Sequence, residues 1–353
     1  MIRARGQPLL SPLAVCQTGL EGLLAQRVLY IIHEGCQLLD SYSSFPAKEM
    51  LESCTLLCLQ LIQKALNLQQ RFLGLLTSAG SNLLLTGLSK LLLDINPRSG
   101  QPDNLLNITK YVTYNSWLPE HTLCAVGILQ VVTTSPSIHK HLVGLFTSTP
   151  SISVLIRHGF VECLDSEQDD PMLRRHRVVL FLETGEATLE GGQYPSSRPS
   201  PLPPTHTSLF TFTVLYSDEE DEDGFGIHCH IKEAILKFLQ QSVSHSAPNV
   251  AHYLLGFDTK KDIKKMVFQQ PGVQEFPRTC LHSIINMLDN SIGARSGDLR
   301  HSFKPRVIEK AYRMLYSLSA DTRTYEPVLR FLRSCNDFLV RHLACLPFSG
   351  TNR

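Results

Sequence analysis

Four places in this 353-residue chain gather side chains able to bind a metal, attack an electrophile or hold an anion. His228, Cys229 and His230 form the densest metal-capable group, and His139 and His141 form a second. A helical pair that grips zinc needs i, i+4 spacing on one face, and most zinc sites join two pairs across a loop. Adjacent or alternate residues on a helix diverge instead, so no metal site is assigned. Cys54 and Cys58 do have i, i+4 spacing. Their neighbours in the same stripe are Leu57, Leu61 and Ala65, and a cysteine in such company behaves as a small core hydrophobe. A nucleophilic thiol needs a cation, a base or a helix N-terminus beside it, and none is present in the sequence. Lys260-Lys261-Asp262-Ile263-Lys264-Lys265 is a basic cluster that can touch phosphate. Asp258 and Asp262 dilute it and no aromatic platform accompanies it, so it reads as a solvated loop.

Phosphate and acyl chemistry lack their usual supports. There is no Gly-x-Gly-x-x-Gly after a strand, no Gly-x-x-x-x-Gly-Lys-Ser/Thr cradle and no Gly-x-Ser-x-Gly elbow. No catalytic, cofactor-binding or metal-ligating residue is therefore assigned, and the chain reads as a non-enzyme without a cofactor. Lysine plus arginine number 33 against 32 acidic residues. That balance gives no field to steer nucleic acid or an anionic membrane. Ten cysteines sit singly in apolar stretches without a Cys-x-x-Cys pair, which fits a reducing compartment. The longest apolar runs, Leu83 to Leu93 with Lys90 inside it and Leu123 to Val132, fall short of the roughly 20 residues that span a bilayer. No transmembrane anchor is expected. Arg3 and Arg5 with no early acid have a faint transit-peptide character, but Pro8 and Pro12 break an amphipathic helix there. The start reads as a chain entered partway along, without a secretory signal.

The elements around these residues are helical. Apolar side chains step by three or four in Met50-Cys54-Leu57-Cys58-Leu61-Ala65-Leu68, in Ile138-Leu142-Leu145-Phe146 and in Ile231-Ala234-Ile235-Phe238. The same step runs through Leu281-Ile284-Ile285-Leu288, Val307-Ala311-Met314-Leu315-Leu318 and Val328-Phe331-Leu332-Cys335-Phe338-Leu339. This is the period of a helix with one buried face. Pro46, Pro102, Pro119, Pro136 and Pro305 fall where first turns are expected, since a missing N–H costs nothing there. The result is an all-α chain of about a dozen helices. Helix pairs of this kind stack into an α-solenoid, and the lack of a strict repeat points to the HEAT/armadillo-like class.

One window departs from this pattern. Residues 165–224 begin and end in acidic runs, the second being Asp218-Glu219-Glu220-Asp221-Glu222-Asp223, and enclose the proline-rich Tyr194 to Pro204. Prolines deny helix and ladder bonds and like charges repel, so the window is expected to be a disordered linker or insertion between helical segments 1–164 and 225–353. Two apolar runs inside it, Val178 to Leu182 and Leu209 to Tyr216, offer a small β-appendage as the alternative. The acidic cluster reads as a solvated run, or as a tether for a basic partner.

The second half carries a set of peptides with a family likeness: Phe160 to Asp165, Asn249 to Phe257, Pro271-Gly272-Val273, Pro277 to His282, Leu329 to Arg333, Asp337-Phe338-Leu339 and Leu346 to Ser349. Taken together they resemble the large inner-ring scaffold nucleoporins of the nuclear pore complex, from about Asn104 to Ser349. The resemblance implies an internal portion of a much longer α-solenoid at the nuclear envelope. It also implies protein partners: an inner-ring adaptor such as the ninety-three-kilodalton nucleoporin, and the central channel complex. The window from about Pro171 to Tyr216 has no counterpart in that family. Barrier nucleoporins are dense in Phe-Gly dipeptides, whereas Phe225-Gly226 stands alone here, so scaffold is the expectation. A soluble HEAT-type transport receptor or adaptor is the rival.

Overall fold

The computed structural model describes residues 12–39, 45–78, 88–98, 100, 102–148, 150–166, 179–182, 212–215, 226–293 and 305–345. Most of the acidic and proline-rich window lies outside them. The chain divides into two compact units, Met1–Asp169 together with Gly226–Arg353, and Asp170–Phe225.

The first unit is all-α. Its helices among the described residues are α1 Pro12–Leu38, α2 Lys48–Ser78, α3 Leu88–Leu92, α4 Asp103–Lys110, α5 Pro119–Val132, α6 Pro136–Ser148 and α7 Pro150–Asp165. They continue as α8 Ile227–Val243, α9 Val250–Leu255, α10 Cys280–Gly293, α11 Pro305–Ala320, α12 Tyr325–Ser334 and α13 Phe338–Ala344. A 3-10 turn, Tyr111–Tyr114, follows α4 directly. Pro119, Pro136 and Pro305 each open a helix, and Pro102 is the N-cap of α4. Pro12 and Pro150 also open helices. Pro12 thus starts a helix rather than ending one, because its fixed φ suits the first turn.

The helices stack in two rows. In one row α2 packs on α5, α5 on α8 and α8 on α11; in the other the Tyr111–Tyr114 turn packs on α7, α7 on α10 and α10 on α13. The shorter α6 and α9 pack on each other beside the rows. Each step of the stack therefore advances by three helices, two from the rows and one short connector. The row helices α2, α5, α8 and α11 begin at residues 48, 119, 227 and 305. Such unequal steps hide the repeat from any search for a fixed period. Each helix buries its apolar stripe against the next member, as a solenoid requires.

The stripes expected on α6, α10 and α11 are buried throughout: Leu142, Phe146, Leu281, Leu288, Ala311 and Leu318, for example, are closed to solvent. On α2 the phase differs. Met50, Leu61 and Leu68 are exposed and Cys54 is on the surface, while Thr55, Cys58, Leu59, Ile62 and Leu66 face inward. Apolar residues surround this helix, so periodicity alone cannot choose its face. A second correction concerns Val328 to Leu339, which read as one stripe. The chain turns at Asn336 and Asp337, both at positive φ, and separates α12 from α13. Asn and Asp tolerate that left-handed conformation better than other side chains. Phe338 stays buried, whereas Leu339 is 42% exposed.

Close approach in the second row depends on Gly159 of α7. A Cβ there would lie 3.1 Å from the Thr113 Cα and 3.2 Å from its N, backbone atoms that cannot step aside.

In the second unit, strand β1 Val179–Leu182 pairs antiparallel with β2 Phe212–Leu215, Val179 opposite Leu215 and Leu182 opposite Phe212. Residues 179–182 and 212–215, the described parts of the two apolar runs, thus pair as the small β-appendage would, and the expectation of disorder for the rest of the window lies outside the described residues. Paired strands satisfy the backbone groups of such runs where isolated segments do not.

Candidate functional site

None of the helices among the described residues is long and apolar enough to cross a membrane. Among those residues, too, no three His, Cys, Asp or Glu side chains converge as metal ligands would. His228, Cys229 and His230 sit in the first turn of α8, with Cys229 buried and the two histidines half-exposed. His139 is buried and His141 is exposed. Cys58 is inside the core and burial pushes its thiol up to about 11, the opposite of nucleophile activation.

Several histidines are core residues. His121 is 3% exposed, with its Nε2 2.9 Å from the Glu52 carbonyl oxygen and 3.0 Å from Thr55 Oγ1. The carbonyl can only accept, so Nε2 carries the proton. His139 Nε2 accepts from the Val250 N–H at 3.3 Å, and its ring stacks on His245 with centroids 4.3 Å apart. His252 is closed to solvent, and neither ring nitrogen has a hydrogen-bond partner among the described residues. Burial holds all three histidines down at about 4; for His139 the neighbouring His245 and His252 add to the effect. These rings are neutral packing elements at neutral pH. Residue type alone gave no sign of that role.

A cleft of about 950 Å³ lies between α7, the end of α9 and the loop before α10. The loop begins at Gly256, which closes α9 at φ 98° where a Cβ would also strike Thr279 Cγ2 at 2.6 Å. Thr279 Oγ1 donates to the Leu255 carbonyl at 2.9 Å and ties the two ends of the loop together. Inside, the Phe257 and Phe268 rings meet edge to face at 4.8 Å, and Phe268 continues to Phe331 of α12 at 5.5 Å. The expected solvated loop is therefore anchored from beneath.

Its outer side carries Lys260, Lys261, Lys264 and Lys265, all exposed. Asp258 and Asp262, which diluted this charge in the sequence, have local structural work. Asp258 Oδ1 accepts from the Lys260 N–H at 2.9 Å, and its Oδ2 pairs with Lys261 Nζ at 3.4 Å. Asp262 Oδ1 accepts from the Lys264 N–H at 3.2 Å and caps the 3-10 turn Ile263–Lys265. Across the cleft, Arg157 of α7 lies over the Tyr253 ring, 5.5 Å from its centroid. The ring is fixed by its own hydroxyl, which donates to the Ser153 carbonyl at 2.6 Å. Arg278, between the lining residues Pro277 and Thr279, forms a two-pronged pair with Asp165, with distances of 2.6 and 2.8 Å. The arrangement sets cationic side chains beside partly exposed apolar ones, Val267, Phe276 and Pro277.

Comparison with known proteins agrees with a scaffold fold. The family described as nuclear pore complex scaffold, nucleoporins 186/192/205, matches residues 13–353. The chain is 33% identical to the nuclear pore complex protein Nup205 of Drosophila melanogaster over 354 aligned positions, covering 94% of this chain and 16% of the fly protein. It is 32% identical to Nup205 of Homo sapiens over 330 positions, covering 94% of this chain and 14% of the human protein. It therefore spans less than a fifth of the length of these relatives. With a match that runs through nearly all of the helical stack, the chain belongs to the nuclear pore complex scaffold nucleoporins of the 186/192/205 family.

Proposed function

We propose that this chain supplies a structural segment of the nuclear pore complex inner ring, at the nuclear envelope, and works through protein–protein contacts rather than catalysis. The observation that carries the reading is the family match over residues 13–353, which takes in every helical step of the stack. The physics of the fold supports it. A stack in which each helix buries its stripe on the next presents a long continuous surface, suited to holding several partners in fixed relation. The partners in this proposal are other nucleoporins, among them an inner-ring adaptor such as the ninety-three-kilodalton nucleoporin, and the central channel complex. Residues 165–224 form a linker or insertion set between the helical segments 1–164 and 225–353.

The test is affinity purification of a tagged full-length protein containing this region. Nuclear pore scaffold proteins are expected to co-purify in stable amounts. Recovery of soluble cargo and transport factors in their place overturns the reading.

A further inference from the structure

The geometry points to a binding site for an acidic, partly apolar extended peptide of a partner protein in the cleft between α7 and the loop Gly256–Thr279, an inference that rests on the scaffold reading and gives it one contact site. The first support is charge. Arg157 on one wall faces a loop bearing Lys260, Lys261 and Lys265, while Asp258 and Asp262, the acids interspersed with those lysines, are engaged in the loop's own turns. Arg157 is half-buried on the Tyr253 ring and makes no ion pair with any described residue. A guanidinium held in place by an aromatic face, with its donors unpaired, is pre-organised for a carboxylate, because little freedom remains to be lost on binding.

The second support is the remainder of the lining. Val267 is 56% exposed, and Phe276, Pro150 and Pro277 are also open to the cleft at least in part. Such apolar contacts favour a peptide that alternates carboxylates with aliphatic side chains. A single-stranded nucleic acid is the competing occupant, told apart by the oligonucleotide in the experiment below. The volume, about 950 Å³, suits a few side chains of an extended segment rather than a whole helix.

The experiment is fluorescence anisotropy with the full chain and a short labelled peptide of glutamate, leucine and proline. Its controls are the same peptide with glutamine for glutamate, and a single-stranded oligonucleotide as competitor. The expected result is saturable, salt-sensitive binding of the glutamate peptide, weakened about tenfold by Arg157→Gln and by Lys265→Glu, with little binding of the glutamine peptide. Lys265 is exposed, so its variant keeps the fold; unchanged thermal melting verifies this for both variants. Binding unaffected by either substitution, equal binding of the glutamine peptide, absence of binding, or full displacement by the oligonucleotide each overturns the inference. None of these outcomes bears on whether the full-length protein resides at the pore, so the two readings fail separately.

Discussion

Phe160 of α7 and Phe238 of α8 lie nearly parallel, with ring centroids 5.8 Å apart and an interplanar angle of 15°, and both are closed to solvent. They come from opposite sides of the interval 167–225. The helices flanking that interval thus pack on each other directly, and α8 also packs on α5. Replacing Phe160 with Ala is expected to cost about 3–5 kcal/mol in denaturant titration, from lost transfer energy and the cavity left behind. A loss below about 1 kcal/mol would mean that the α7–α8 contact is loose.

The same contact predicts that residues 171–216 are dispensable for the helical unit. A variant in which a short glycine–serine linker replaces them should unfold in one cooperative transition, within a few degrees of the parent. Insoluble expression, or loss of helical circular dichroism, would show that the β1–β2 unit is required for folding.

Much of this architecture was legible in the sequence where polar and apolar faces separate cleanly. On α6, α10 and α11 the stripe named from spacing is the buried face. On α2 it was so only in part: Cys58 is buried, but Leu, Cys and Ala occupy several faces, and the inward one also carries Thr55, whose hydroxyl meets His121 across the core. The break at Asn336-Asp337 was also missed, because Phe338 continues the spacing in phase and only the tolerance of Asn and Asp for positive φ marks the turn. The cleft was illegible for a different reason. Arg157 and the lysines of the loop are far apart in the chain, and only the packing of α7 on α10 and of α6 on α9 brings them together.

Acidification should weaken the fold. A histidine ordinarily binds its proton near 6.5, while His121, His139 and His252 do so only at about 4 in the folded chain. Between these values the unfolded chain holds more protons, so stability is complete above about pH 6.5 and falls as pH drops toward 4. Each ring contributes on the order of 1–3 kcal/mol across that window. Chemical denaturation at neutral and mildly acidic pH should show the decline, and His252→Phe should flatten it. A pH-independent midpoint would mean that these rings reach water.

The last helices are fastened by one small network. Phe338 stacks on His342 at 3.8 Å, and His342 Nε2 meets Asp289 Oδ1 of α10 at 2.8 Å. Its Nδ1 lies 2.6 Å from the Tyr312 hydroxyl of α11. Phe338→Ala is expected to lose about 3–5 kcal/mol and to free α13 from both neighbours, read as lost hydrogen-exchange protection confined to residues 338–344. Tyr312→Phe removes one bond to a half-exposed network and should cost only about 1 kcal/mol.

The central claim, that this helical stack serves as fixed scaffold in the nuclear pore, is tested most directly by photobleaching a fluorescently tagged full-length protein containing this region at the nuclear envelope. Residence through many rounds of transport, with almost no recovery on the timescale of cargo passage, is the predicted result. Rapid recovery, as of a receptor cycling between compartments, would contradict it.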